Sequence, residues 1–169
     1  NIHVFYVVKS WLCKILLGQF EDTQRLLQKM DYMTYTEQQS VRYLILVYYI
    51  VIQDTKSFME EMEKFHQAKN KITEENYKTL QPGRLIIDNI FIQINLTVLE
   101  DIWLLIREEI TPEDLEEKPY GDAIYSVIKE YGIYQYYLDK EQPIKALNYK
   151  EQSTYLYDII QEDFNDLHY

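Results

Sequence analysis

The sequence predicts an all-α fold, an α-solenoid of antiparallel helical hairpins forming a single domain over residues 1–169. Three observations predict it. Apolar residues recur at i, i+4, i+7 in one segment after another, whereas the alternating β-branched pattern of strands is missing. Only four Gly and four Pro break the chain. Residues 36–67 read as one complete hairpin, and the segments before and after look like worn copies of it. With 47% hydrophobic and 15% aromatic residues in 169, the chain can build a sizeable core and is no disordered tail.

The first hairpin spans about 3–32. Val4, Val8, Trp11 and Ile15, with Leu12 and Leu16, share one helical face, and Gly18 closes that helix as a left-handed residue can. Thr23, Leu27 and Met30 then mark the return helix. The second hairpin, 36–67, starts at overlapping capping boxes, Thr34 with Glu37 and Thr36 with Gln39. From Val41 to Ile52 nearly every residue is apolar or Tyr, so this helix is expected to be buried on most sides. A membrane span is the rival reading, but the apolar run is half the ~20 residues that a bilayer needs, and Arg42 and Asp54 bracket it. After the turn at Gln53-Asp54-Thr55, the residues Phe58, Met62 and Phe65 form a narrow apolar stripe 35 positions beyond the first one. An offset of that size is what helical repeats show.

Residues 69–83 read as a polar connector with one short helix capped by Thr73, ended by Pro82-Gly83. The third hairpin, about 84–110, pairs a helix at 84–93 with a return helix marked by Leu99, Trp103 and Ile106. Asn95 between them is an N-cap, although Asn95-Leu96-Thr97 also matches the glycosylation tripeptide. Thr111-Pro112-Glu113-Asp114 is a strong helix start, with a hydroxyl at the cap, Pro in the first turn and acids at the positive end of the dipole. The fourth hairpin, about 122–150, has an inner helix carrying Ile124, Val127, Ile128, Ile133, Tyr134 and Tyr137. Its return helix begins at Pro143, with Ile144 placed where Leu99 stands, and the stripe fails at Asn148 and Glu151. An amphipathic capping helix at about 152–166 is expected to finish the stack.

Lys and Arg number 17 against 28 acids, a formal charge of −11. Such a surface repels phosphate backbones and anionic lipid, which argues against a nucleic-acid role for this domain. Cys13 is the only cysteine, so no internal disulfide or thiolate zinc site can form, and burial as a small hydrophobe is expected. No signal peptide or transmembrane run is visible. The chain nevertheless opens on Asn1 and enters a helix at once, so something upstream is expected, such as a removed signal, a membrane anchor or another repeat. A cytoplasmic domain, membrane-associated only through such a segment, is the expected location. The abundance of Ile, Lys, Asn and Tyr is associated with AT-rich bacterial genomes.

The turn and return helix of each hairpin resemble tetratricopeptide repeats. The likeness lies in Gly18-Gln19-Phe20-Glu21-Asp22-Thr23 with Leu27 and Met30, in Gln53-Asp54-Thr55 with Phe58, Met62 and Phe65, and in Asn95-Leu96 with Leu99, Trp103 and Ile106. It covers about two thirds of the chain. This chain departs from the pattern in having Phe, Leu and Met where the family has small packing residues. The family's first-helix glycine occurs once, as Gly132, and its terminal Pro does not occur. The resemblance implies a right-handed superhelix that binds peptides or proteins in a concave groove and is not an enzyme. Carried over by register, the groove positions are Tyr43, Val47, Arg84, Asp88, Lys129, Ile133 and Tyr136. Arg84 and Lys129 would hold a carboxylate of the bound peptide.

Other constellations are weaker. Glu63-x-x-His66 has the spacing of one half of a di-iron carboxylate site, but His3 and His168 lack the matching Glu. No nucleophile–base pairing can be placed, no glycine-rich phosphate loop occurs, and no cofactor or metal is expected. The acids between Glu100 and Glu117 suit a basic partner or simply a solvated face. Nine of the 17 Tyr lie between Tyr120 and Tyr157 and could line a recognition surface. The expected function is a non-catalytic scaffold that binds a protein or peptide. The alternative is the signalling-peptide-binding regulatory domain of a bacterial regulator. A helical-bundle enzyme or metal protein is the third reading.

Overall fold

A computed structural model describes residues 10–33, 35–71, 97–120, 123–147 and 149. Every regular element among these residues is helical. They are α1 (10–16), α2 (Glu21–Lys29) with a short 3-10 turn at Met30–Tyr32, α3 (Tyr35–Val51), α4 (Thr55–Lys71), α5 (97–106), α6 (Pro112–Glu116), α7 (Ala123–Asp139) and α8 (143–147). The predicted helix at 84–93, the connector helix at Thr73, the Asn95 cap and the capping helix at 152–166 lie outside the described residues.

The central helix is α3. Its residues from Arg42 to Tyr48, and Ile50, are all buried, which is what the unbroken apolar run predicts, and α2, α4 and α7 pack around it. Helices α3 and α4 make the predicted hairpin. Phe58, Met62 and Phe65 are buried as its inner stripe, and Asp54 caps α4 by accepting the Ser57 N–H at 3.1 Å. The first hairpin closes through Trp11, whose indole Nε1 donates to Thr23 Oγ1 at 2.9 Å. That bond explains how a threonine can occupy the leading position of an apolar stripe while wholly buried.

One turn recurs four times. Gly18, Gln53, Glu108 and Glu141 follow α1, α3, α5 and α7, each with a positive φ between 56° and 81°. In every case that residue's N–H bonds a carbonyl three residues back, and the next N–H bonds one five back, as in Gly18 to Ile15 and Gln19 to Lys14. This is the Schellman end of a helix. It also ends α5, which the sequence reads as a return helix whose first arm, 84–93, lies outside the described residues. Helix α5 ends as the first arms do, and α6 follows it as a short second arm.

Helices α3, α5 and α7 run in the same direction. Tyr43 lies within the field of Tyr125, Ile50 shares a cavity with Gly132, and the Thr55 hydroxyl just past α3 donates to Asp139 Oδ2 at 2.8 Å. On the other side, Ile102 of α5 meets Gly132, and Glu108 ion-pairs with Lys140. The direct contact of α3 with α7 joins the second and fourth hairpins. A strictly linear stack, in which each unit touches only its neighbours, would hold them apart.

Two expectations for the stripes are corrected. The buried seam of α5 is Val98, Leu99, Ile102 and Leu105, with Trp103 and Ile106 only partly buried, so it is turned about one residue from the predicted stripe. In α8, Ile144 is 80% exposed where Leu99 is 0% exposed, and Ala146 is the residue that enters the core. Ala146 stands two residues, about 200°, further round the helix, so the face of α8 that meets the core is the opposite one.

Candidate functional site

The groove positions carried over from the resemblance do not form one open surface. Tyr43, Val47 and Ile133 are core residues, 3%, 2% and 0% exposed, and at that burial they serve packing. Burial also pushes the Tyr43 phenol well above its ordinary pKa, with Tyr125 adding to the effect. Tyr136 is half-buried beside Tyr137, with the Lys140 ammonium 5.7 Å from its ring centre. Arg84 and Asp88 lie outside the described residues. Helix periodicity identifies which face is distinctive but not whether solvent reaches it, and here that face of α3 and α7 is turned inward.

Lys129 lies at a junction of polar groups. Its Nζ donates to the Glu116 backbone carbonyl at 3.2 Å, capping the negative end of α6, and stands 5.9 Å from the centre of the Tyr120 ring. Tyr120 in turn donates to Asp101 Oδ2 at 2.7 Å, while Lys118 donates to the other oxygen at 2.8 Å. The buried Asp101 carboxylate therefore has two partners, and burial followed by this bond pushes the Tyr120 phenol up. Helix α6 begins at Thr111, as its sequence predicts, and the start is a capping box. The Asp114 N–H donates to Thr111 Oγ1 and the Thr111 N–H donates to Asp114 Oδ2, both at 3.1 Å. The Thr111 N–H on the carboxylate, and after it the Thr111 hydroxyl, hold the Asp114 carboxyl below its usual value.

Beyond Lys129 the same face of α7 carries Glu130 and Tyr137. The Tyr137 and Tyr149 rings stack with centres 5.5 Å apart, Lys145 stands 5.7 Å from the Tyr137 ring, and Tyr149 bonds the Glu116 side chain. Glu130 is 6% exposed, and its Oε2 has no hydrogen-bond partner among the described residues. Burial, reinforced by Glu116 and opposed by Lys129, pushes its carboxyl up to about 6. The sequence reading missed Glu130. The signal was available, because α7 is apolar on so much of its circumference that a charge within it must fall near the core.

Two further buried polar groups sit between the helices. Arg42 of α3 and Glu61 of α4 form an ion pair at 3.2 Å, not aligned as a hydrogen bond, with side chains 8% and 15% exposed. Gln135 donates to Asp139 Oδ1 at 2.7 Å and lines a cavity of about 10 Å³ between α3, α4, α5 and α7, room for roughly one water. The cavity is far below the size of an organic ligand site.

His66, from the half di-iron motif, packs its ring 4.6 Å from Trp103, and Arg107 covers Trp103 at 4.4 Å. Among the described residues no three His, Cys, Asp or Glu side chains converge to hold a metal. Cys13 is buried within α1. No helix among the described residues is long and apolar enough to cross a membrane. Comparisons with protein-family models, characterised proteins and solved structures give no match.

Proposed function

We propose that this chain is a non-catalytic interaction module, a helical-repeat-like scaffold that binds a protein or peptide. The observation that carries the reading is the fourfold recurrence of one helix-ending turn, after α1, α3, α5 and α7. Repetition of one supersecondary unit is the mark of scaffolds whose exposed faces serve binding. The tetratricopeptide-like residues of the turns and return helices support the same reading. An acidic surface, with 28 acids against 17 cations, favours a protein partner over nucleic acid.

Because Tyr43, Val47 and Ile133 are buried, the binding surface is sought on what the described residues leave accessible. Helix α8 exposes Ile144 and Leu147, 80% and 56% accessible and one turn apart, beside Lys145. Apolar side chains spaced one turn apart on a helix are the usual anchors of a partner segment. Photo-crosslinkers placed at Ile144, at Leu147, at Tyr136 and, as a control, at Arg25 on α2 test the proposal in native-host extract. A discrete partner, captured from α8 or Tyr136 and not from position 25, is the expected result. Uniform or absent crosslinking from all four positions would remove the interaction reading.

A further inference from the structure

We propose that Glu130 is an acid-responsive latch between α6 and α7: protonated, it lets α6 seat against α7, and ionised, it loosens that contact because a buried carboxylate must regain water. The proposal stands on where the carboxyl is placed. Glu130 is 6% exposed on α7, next to Lys129, whose ammonium reaches the last carbonyl of α6, and one of its oxygens is enclosed with no hydrogen-bond partner among the described residues. A buried carboxylate in that state is costly, while the neutral acid sheds the charge and gains a donor hydrogen. A direct tie between the two helices is the Lys129 ammonium on the Glu116 carbonyl, which is itself partly exposed and so modest in strength.

The surrounding charges do not cancel this cost. From α6, Glu116 raises the proton affinity of Glu130, and Glu113 is a further acid on the same short helix. On α7 itself Lys129 opposes them. The helices on the other sides bring charges already engaged: Arg42 of α3 with Glu61, and Asp101 of α5 with Lys118 and Tyr120. Beyond α8, Tyr149 bonds Glu116. The balance moves the titration of Glu130 up to about 6, within reach of mildly acidic conditions. The inference is independent of the proposed scaffold role.

Two measurements on the whole chain test it. Carbon-detected NMR titration of the wild-type carboxyls is expected to show Glu130 changing protonation near pH 6. Hydrogen exchange of the α6 amides, corrected for intrinsic rates, is expected to show on the order of tenfold greater protection at about pH 5 than at about pH 7.5. The variant Glu130→Gln should hold the high protection at both pH values, with α2, which packs on α3, unaffected in its pH response. A Glu130 titration at the ordinary ~4.3 of a solvated glutamate overturns the proposal whether or not the variant folds. So does α6 protection that changes with pH equally in wild type and variant.

Discussion

Replacing Gly132 with alanine tests the close approach of α5 to α7. A Cβ at this position would lie 2.6 and 2.7 Å from Cγ1 and Cδ1 of Ile102 and 3.2 Å from Cγ2. Ile102 is 1% exposed and β-branched, so turning its side chain exchanges one methyl for another instead of clearing the space. The backbones of α5 and α7 must therefore separate. Overpacking of this kind costs about 1–3 kcal/mol, while alanine for glycine inside a helix returns roughly 0.5–1 kcal/mol. The net expectation for Gly132→Ala is a loss of about 1–2 kcal/mol, read as a lower midpoint in urea unfolding followed by circular dichroism. The same change in an Ile102→Ala background should have the opposite sign. With the obstruction gone, alanine at 132 should stabilise by up to about 1 kcal/mol, although Ile102→Ala alone costs about 2–5 kcal/mol. A coupling energy of about 2 kcal/mol or more in this double-mutant cycle is thus predicted. Stabilisation by Gly132→Ala in both backgrounds would refute the α5–α7 contact.

The other predictions concern the turns, a cap and the buried ion pair. Gln53→Gly should raise stability by about 0.5–1 kcal/mol, because Gln53 is exposed and its φ of 64° suits glycine better; an unchanged or lower unfolding midpoint would deny the left-handed turn there. Thr111→Ala should cost about 1 kcal/mol, detected as faster hydrogen exchange in α6. The Asp114 carboxyl is depressed below 3.8 in the fold, so its stabilising contribution is complete above that value and is lost as pH falls through the lower folded pKa. Thr111→Ala keeps the backbone N–H that is the larger cause of that depression and removes only the hydroxyl's part, so the acid-side loss should persist in reduced form; an unchanged loss would count against the hydroxyl's contribution. Arg42→Met alone should destabilise by less than the ~3 kcal/mol of a fully stranded buried charge, because Glu61 keeps Lys64 at 3.4 Å, whereas the double change Arg42→Met with Glu61→Leu should cost less than either single change in thermal unfolding.

Much of the helical frame can be read from residue pattern. The unbroken apolar character of residues 41–52 requires an inner helix, since no water-facing side is available to such a run, and α3 is that helix. Thr111-Pro112-Glu113-Asp114 carries its own start signal within four residues, so α6 begins where local chemistry places it. Gly18 likewise announces a left-handed helix end, but Gln53, Glu108 and Glu141 adopt the same geometry without glycine. Those three turns are set by the helices they connect, and their residue types gave no warning. The α8 reading failed for a related reason. Ile144 looks like a core residue by periodicity, yet a helix buries the face its neighbours leave room for, and here that face carries Ala146.

By itself the amino-acid sequence determined the all-helical class, the hairpin of α3 and α4 and the net acidic charge. Each of these follows from local propensity, from the spacing of apolar residues along a helix or from a sum of charges. Only the tertiary structure decided that α3 meets α7, that Tyr43, Val47 and Ile133 face inward, and that Glu130 lies buried beside Glu116. Those outcomes depend on which helix covers which face. Periodicity can show that a helix has a distinctive side, but what lies against that side is settled by residues far away in the chain.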